Sequence, residues 1–444
     1  MGLPATTALN TTTTPNTATG STAPASRSRF YPWIVFALTF GLLLSDYMSR
    51  QVLSAVFPLL KTEWTLTDSQ LASLSSVVAL MVGLLTLPLS LLADRWGRVK
   101  SLVVMAVLWS IATLLCAVAS SYEQMLGARF LVGVGEAAYG SVGIAVVLSV
   151  FAPRVHSTLS GAFMGGGSFG SVIGVALGGV IAVNLGWRWS FAAMAVFGLM
   201  LVALFRALVS ERKLAQHAAD DDPADAPGPA GFRAPISSLF TTPAVVFAYI
   251  GGGLQMFTAG VLLAWLPSFF NRSYGLALDK AGAMASIFVL LVGSGMVVCG
   301  IITDRVSRND PARKWTTAVV FGVISLVFLG AGFQLPTGAP QLVLIGIGAF
   351  FSAGSSGPIA AMVANLTHSS VRASAFGTLT LANNLLGLAL GPFVVGVLAD
   401  RFGLVTALQI APLIYIVAIV ALVLGKRAYP AGRRKLAALT AAPA

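Results

Sequence analysis

Four ionisable residues interrupt long apolar stretches of the sequence and carry its clearest chemical signal. Asp46 and Arg50 are four residues apart, and Arg129 and Glu136 are seven apart, so each pair lies along one face of a helix. An arginine keeps its proton, whereas a carboxylate can bind and release one. We therefore assign proton coupling to Asp46 and Glu136, and anion binding to Arg50 and Arg129. The alternative is a permanent salt-bridged link between two helices.

The stretches that hold these charges are long enough and apolar enough to cross a membrane. Of the 444 residues, 57% are hydrophobic and 9% are charged, whereas soluble domains average about 45–50% and about 25%. From Trp33 onward there are twelve apolar runs of about 20 residues or more, the length that spans a bilayer as a helix. The sequence predicts an all-α integral membrane protein with twelve transmembrane helices.

The two halves of the sequence repeat each other. Asp94-Arg95-Trp96-Gly97-Arg98 follows the second run, and Asp304-Arg305-Val306-Ser307-Arg308 follows the eighth. Such duplication is typical of two pseudo-symmetric six-helix bundles that hold a solute between them near the membrane midplane. The predicted divisions are a disordered N-terminal tail (1–32), a first bundle (33–209), a linker (210–242), a second bundle (243–425) and a basic C-terminal tail (426–444).

The positive charge of the chain predicts its orientation. The 27 Lys and Arg outnumber the 15 Asp and Glu, for a net charge of +12. Most of these cations fall in the tails, the linker and the even-numbered loops, so the positive-inside rule places both termini in the cytoplasm. This distribution argues against a nucleic-acid partner, and we expect a monomer in the bacterial inner membrane.

Cofactor chemistry has little support in the sequence. Cys116 and Cys299 both lie within apolar runs, and neither a metal-binding cluster nor a nucleotide-binding Gly-Lys-Ser loop is present. We expect no metal and no cofactor, with the proton as coupling ion.

Glycines recur every four residues in the fifth run. Gly166, Gly170, Gly174 and Gly178 form one smooth stripe that allows a second helix to approach closely. The stripe is compatible with a sliding interface or with static packing.

The loop after the second run resembles a family signature. Ser90-Leu-Leu-Ala-Asp94-Arg95-Trp-Gly97-Arg98-Val-Lys100 is similar to the Gly-x-Leu-Ala-Asp-Arg-x-Gly-Arg-Lys loop of major facilitator superfamily transporters, with a second copy from Gly300 to Arg308. The Asp94 carboxylate can cap the helix that starts near Ser374 in the other half, with Arg98 holding the carboxylate in place. We therefore assign gating to Asp94, Arg95, Arg98, Asp304, Arg305 and Arg308. The alternative is that these charges only terminate helices.

Within that superfamily the first half most resembles the spinster-like transporters. The shared features are Asp46-Tyr47-Met48-Ser49-Arg50 in the first helix and Arg129 with Gly133-Val-Gly135-Glu136-Ala in the fourth. The family aspartate before the arginine is Ser49 here, and a carboxylate stands instead at Asp46. The anion:cation symporter branch, which carries organic carboxylates, has a similar pattern and is the second resemblance.

The second half lacks an ionisable residue at comparable depth. Gln255, Asn383 and Asn384 offer neutral hydrogen-bonding groups there, and Tyr47 and Tyr139 adjoin the charges of the first half. We assign all five to substrate binding, with helix packing as the alternative.

The resemblance implies a secondary active transporter that works by alternating access, and not an enzyme. The expected activity is proton-coupled transport, by symport or by antiport, of a small organic or amphiphilic anion. The alternatives are a proton-coupled carrier of organic carboxylates of the anion:cation symporter type, an amphiphile or drug exporter, an uncoupled facilitator, and a membrane sensor that does not transport.

Overall fold

The computed structural model describes residues 30–152, 155–217, 237–368 and 371–441. The predicted tail segment 1–29, linker segment 218–236 and last residues 442–444 lie outside this part of the chain. Twelve described helices are long and apolar enough to cross a membrane. The prediction of an all-α integral membrane protein with twelve transmembrane helices is therefore confirmed.

Six of these helices form the first half of the molecule. They are α1 Tyr31–Trp64, α2 Asp68–Trp96, α3 Arg98–Val118, α4 Tyr122–Leu148, α5 His156–Leu185 and α6 Trp187–Leu208. The other six form the second half. They are α7 Pro243–Tyr274, α8 Leu278–Val306, α9 Arg313–Gln334, α10 Ala339–Leu366, α11 Arg372–Phe402 and α12 Leu404–Ala441.

Short turns between successive helices make them run in alternate directions across the bundle. We call the side where α1 begins and α12 ends the termini face, and the opposite side the far face. Two short helices, Glu211–Gln216 and Ser238–Thr241, flank the linker on the termini face. Residues 426–441, assigned to the basic tail by sequence, continue α12 as helix, because Ala, Leu, Lys and Arg are strong helix formers.

Four crossing helices depart from regular α geometry in the described part of the chain. In α12 the departure is a single 3₁₀ turn, Ala411–Leu413. α4 is interrupted after Glu136 and resumes at Tyr139, and α10 is interrupted between Ser352 and Ser356. α11 contains a π-helical segment, Asn383–Ala389. Interruptions of this kind occur often at functional positions, because they free backbone groups and redirect side chains.

The glycine stripe of α5 packs against α1 inside the first bundle. A methyl group built on Gly170 would lie 2.9 Å from the Cβ of Tyr47, and one built on Gly174 would lie 2.7 Å from the Cα and carbonyl oxygen of Met48. Such distances leave no room for a larger residue. The stripe is therefore a tight contact within one bundle.

Candidate substrate and coupling site

An ion pair joins α1 to α4 at the centre of the first bundle. The Nε and Nη2 atoms of Arg50 donate hydrogen bonds of 3.1 and 2.7 Å to Oε2 of Glu136. The Glu136 side chain is fully buried, and that of Arg50 is 18% exposed. Charge-assisted hydrogen bonds between buried groups are among the stronger polar contacts in proteins.

Asp46 lies in the same cluster without a cation of its own. Its side chain is buried beside Glu136 and Arg50, and its Oδ1 atom has no hydrogen-bond partner among the described residues. The guanidinium also lies over the ring of Tyr47, with the Cζ atom of Arg50 5.3 Å from the ring centre. Two carboxyl groups thus share one guanidinium.

Arg129 does not join this ion pair. Its Nη1 atom donates to the backbone oxygen of Ser49 at 3.2 Å, and its guanidinium lies 5.3 Å from the centre of the Phe191 ring. Its Nε and Nη2 atoms have no hydrogen-bond partner among the described residues, although the side chain is almost fully buried. The structure therefore brings three of the four predicted charges together and places the fourth beside them against the α1 backbone.

The local sequence of α4 explains the position of Glu136. Methyl groups built on Gly133 and Gly135 would lie 2.9 Å from the carbonyl oxygen of Val78 and 2.7 Å from the backbone nitrogen of Trp109. The two glycines thus let α4 approach α2 and α3 closely, and the helix is interrupted directly after Glu136.

A hydroxyl group from α2 stabilises this interruption. The Oγ1 atom of Thr86 lies 2.8 Å from the carbonyl oxygen of Ala137 and shares its one hydrogen between that oxygen and the carbonyl oxygen of Val82 in its own helix. A carbonyl that the helix leaves unpaired thereby gains a partner.

A small cavity of about 70 Å³ lies between the two bundles beside the charged cluster. It can hold water but is well below the usual size of a pocket for an organic solute, about 300 Å³ or more. Arg50 is the one charged side chain that lines it in the described part of the chain. The lining residues are Tyr47, Arg50, Gln51, Ser75, Ala79, Gly260, Leu263, Ala264, Leu388 and Pro392.

The polar residues predicted in the second bundle lie nearer the termini face than this cavity. Gln255 is buried, and neither atom of its amide has a hydrogen-bond partner among the described residues. Asn383 and Asn384 stand at the start of the π-helical segment, and the amide of Asn384 donates to the Thr380 carbonyl at 3.0 Å. None of the three lines the cavity in this structure.

Tyr139 is placed inside the first bundle. Its hydroxyl donates to the carbonyl oxygen of Thr39 at 2.8 Å, and its ring packs edge-on against Trp109 at 4.9 Å. The residue is fully buried and does not line the cavity. In this structure its contacts join α4 to α1 and α3.

The predicted gating residues lie on the termini face. Arg95, Arg98, Asp304, Arg305 and Arg308 are exposed, and the side chain of Asp94 lies outside the part that the structure describes.

A carboxylate that the sequence did not single out caps α3 on this face. Oε1 of Glu211, from the short helix after α6, accepts a 2.7 Å hydrogen bond from the backbone nitrogen of Val99. The linker is therefore anchored to the first bundle where it begins.

Sequence reasoning missed the polar contacts that join the bundles at the far face. The carboxylate of Asp68, at the start of α2, accepts hydrogen bonds from Lys61 at 2.5 Å and from Arg272 of α7 at 2.6 and 2.9 Å. Asp400, near the end of α11, accepts from the backbone nitrogens of Asp68 and Ser69 at 2.5 and 2.9 Å. The signal that could have revealed Asp400 is a further copy of the loop signature around it.

No cluster of three or more His, Cys, Asp or Glu residues suited to a metal ion occurs among the described residues. The charged cluster contains a guanidinium, a group that can bind an anion, and two carboxyl groups, which can bind protons.

Two six-helix bundles with a small cavity between them are the arrangement typical of membrane transporters. The sequence model of the Major Facilitator Superfamily matches residues 39–356, and the chain belongs to that superfamily. The expectation of a transporter, and not of an enzyme, agrees with this membership.

Curated relatives carry names of organic-acid transporters. The probable L-galactonate transporter of Escherichia coli (strain K12) is 26% identical over 324 residues, which cover 70% of this chain and 71% of that protein. The hexuronate transporter of Bacillus subtilis (strain 168) is 24% identical over 379 residues, which cover 84% of this chain and 88% of that protein.

A solved structure shares the fold over nearly the whole chain. It is a bacterial homologue of the human lysosomal transporter Spinster in an inward-facing and occupied conformation. The TM-score is 0.75 at 19% identity, covering 94% of this chain and all of that one. The predicted resemblance to spinster-like transporters is confirmed.

Proposed function

We propose that this protein is a proton-coupled symporter of small organic acid anions. The observation that carries the proposal is the position of Arg50, which lines the cavity between the bundles and is also the partner of Glu136. One guanidinium can therefore bind either the buried carboxylate or the carboxylate of a solute. The names of the two organic-acid relatives support a solute of this class.

Competition for Arg50 would couple the solute to the proton. When a solute carboxylate binds Arg50, it displaces Glu136, whose side chain is fully buried. A buried carboxylate without a cation is costly, so Glu136 binds a proton as the solute enters. Asp46, which lacks a cation of its own, offers a second position for a proton in the same cluster.

Binding of a hexonate or hexuronate requires the cavity to enlarge. The bundles must move apart on one side of Arg50, as alternating access demands. Gln255, Asn383 and Asn384 lie on the termini-face side of the cavity, where their neutral polar groups would contact a solute that enters from that face.

The proposed topology places the termini face in the cytoplasm of a bacterial cell, with the protein in the inner membrane. The support is the excess of Lys and Arg in the linker, the tails and the even-numbered loops. Reporter fusions at the C-terminus test this directly: green fluorescent protein should fluoresce and alkaline phosphatase should be inactive. The reverse result would contradict the topology.

The decisive experiment measures uptake of radiolabelled L-galactonate and of D-glucuronate in proteoliposomes, with and without an inward proton gradient. The gradient should drive accumulation in the wild type. Asp46→Asn and Glu136→Gln should abolish gradient-driven accumulation and retain counterflow.

Glu63→Gln is the matched control, because Glu63 pairs with Arg188 within the first bundle at an exposed position. Equal accumulation by the wild type with and without the proton gradient would refute proton coupling. Normal gradient-driven uptake by both Asp46→Asn and Glu136→Gln would also refute it. If amphiphiles raise the melting temperature of the purified protein and neither L-galactonate nor D-glucuronate does, the result would instead favour an amphiphile exporter.

A further inference from the structure

The loop signature occurs once more, at the far-face end of α11. Residues 396–403 read Gly-Val-Leu-Ala-Asp-Arg-Phe-Gly, and residues 90–97 at the end of α2 read Ser-Leu-Leu-Ala-Asp-Arg-Trp-Gly. The α11 copy has the glycine at its first position that the α2 copy replaces by Ser90. The two copies end different helices on opposite faces of the molecule.

Both copies have the same backbone conformation. Gly97 and Gly403 follow the two helices with positive φ angles of 101° and 82°, a region that favours glycine. Their backbone nitrogens donate to Ala93 and Ala399 at 3.1 and 2.9 Å. The sequence match is therefore also a match of local structure.

The α11 copy is engaged with the other bundle. Both carboxylate oxygens of Asp400 accept hydrogen bonds from the first two backbone nitrogens of α2, those of Asp68 and Ser69. The first nitrogens of a helix have no partner within the helix, and the helix dipole favours an anion there. A methyl group built on Gly396 would lie 2.7 Å from the Asp68 carbonyl oxygen, so the signature glycine permits this approach.

α2 and α11 run antiparallel along their contact. The side chain of Asn384 lies beside Gly83, and that of Leu87 lies beside Gly377. Continuing this register brings position 94 level with Arg372, the first residue of α11. Each helix therefore ends in an aspartate that is level with the first turn of the other.

We propose that Asp400 is a gating residue that holds the far face closed and must release α2 each time that face opens. In the opposite state of the cycle, Asp94 at the end of α2 would cap the start of α11 and hold the termini face closed. During transport, the contact of Asp400 with α2 would therefore break as the contact of Asp94 with α11 forms, and the reverse. The inference concerns the movement of the bundles and holds for any solute.

The test measures the far-face distance between the bundles without solute. Spin labels at Ser120→Cys, in the turn after α3, and Thr337→Cys, in the turn after α9, report that distance; both positions are exposed, whereas the native Cys116 and Cys299 are buried. Loss of a capping carboxylate should raise the population ratio of molecules with an open far face to molecules with a closed far face about fivefold. Asp400→Ala should produce this change, and Asp400→Asn a smaller one in the same direction.

Glu63→Gln is the control, because Glu63 accepts hydrogen bonds from Trp187 and Arg188 on the same face within one bundle. Its distance distribution should match that of the wild type, and Asp94→Ala should move the distribution toward a closed far face. The proposal would be overturned if the Asp400→Asn protein kept both the melting temperature and the far-face distances of the wild type. An equal shift in Glu63→Gln would also overturn it, because the effect would then be general to this face.

Discussion

The ion pair between Arg50 and Glu136 should show strong energetic coupling in a double-mutant cycle. The perturbations are Arg50→Gln, Glu136→Gln and the two together, with the free energy of unfolding measured in detergent micelles. Each single variant leaves a buried charge without its partner, whereas the double variant removes both charges. Coupling is the difference between the double loss and the sum of the single losses.

The structure sets the expected size. Two charge-assisted hydrogen bonds, of 3.1 and 2.7 Å, reach one carboxylate oxygen, and breaking a fully buried pair costs about 3–5 kcal/mol. Arg50 is 18% exposed and also faces Asp46, which can replace Glu136 in part. We therefore expect each single variant to lose about 2–3 kcal/mol and the coupling to be about 2 kcal/mol.

The exposed pair of Arg188 and Glu63 provides the matched control. It joins the same residue types at 2.8 Å, but its side chains are 45% and 40% exposed. Exposed pairs contribute about 0–1 kcal/mol, so the cycle of Arg188→Gln and Glu63→Gln should give a coupling below about 1 kcal/mol. Equal coupling in the two cycles, or additive losses at Arg50 and Glu136, would refute the ion pair as the core of the site.

Three further substitutions test the packing and the gate. Gly174→Ala should lower the melting temperature because its methyl group has no space, whereas Gly161→Ala in the same helix, with no atom within 4 Å, should raise stability by about 1 kcal/mol. Tyr139→Phe should cost about 1 kcal/mol of stability and leave the KM for uptake unchanged; a tenfold rise in KM would instead assign Tyr139 to solute binding. Arg272→Gln should lengthen the distance between spin labels at Ser120→Cys and Thr337→Cys, because Asp68 loses its contact with Arg272 of the second bundle, and an unchanged distance would contradict that role.

The architecture could be predicted from sequence because it depends on local composition. A run of about 20 apolar residues forms a membrane helix wherever it occurs, and the recurrence of Asp94–Arg98 at Asp304–Arg308 identified the two halves. The convergence of Asp46, Arg50 and Glu136 also followed from their depth along α1 and α4.

The pairing within the site could not be predicted in the same way. Depth alone placed Arg129 with the other charges, but the rotation and tilt of α4 direct its guanidinium to the Ser49 carbonyl. Rotation and tilt depend on packing against neighbouring helices.

The contacts between bundles were harder still to predict. Asp68 has the sequence context of an ordinary helix N-terminus, because Thr67 and Gln70 form a capping box around it. Its partners Arg272 and Asp400 come from the other half of the chain, and only the arrangement of the bundles brings them together. The copy of the signature around Asp400 was visible in the sequence, but its position at the opposite face concealed its relation to Asp94.

The π-helical segment of α11 makes the length of that helix as important as its side chains. A π-helical turn holds one residue more than an α turn can accommodate. Deleting a single residue between Asn383 and Ala389 would let the segment return to α geometry and leave the rest of the helix facing the same way. Deleting one residue from the regular α-helix that follows, Leu390–Phe402, would instead rotate everything after the deletion by about 100°. A deletion before Asp400 in that part would turn its carboxylate away from α2 and release the contact at the far face, whereas a deletion in the π-helical segment would keep it.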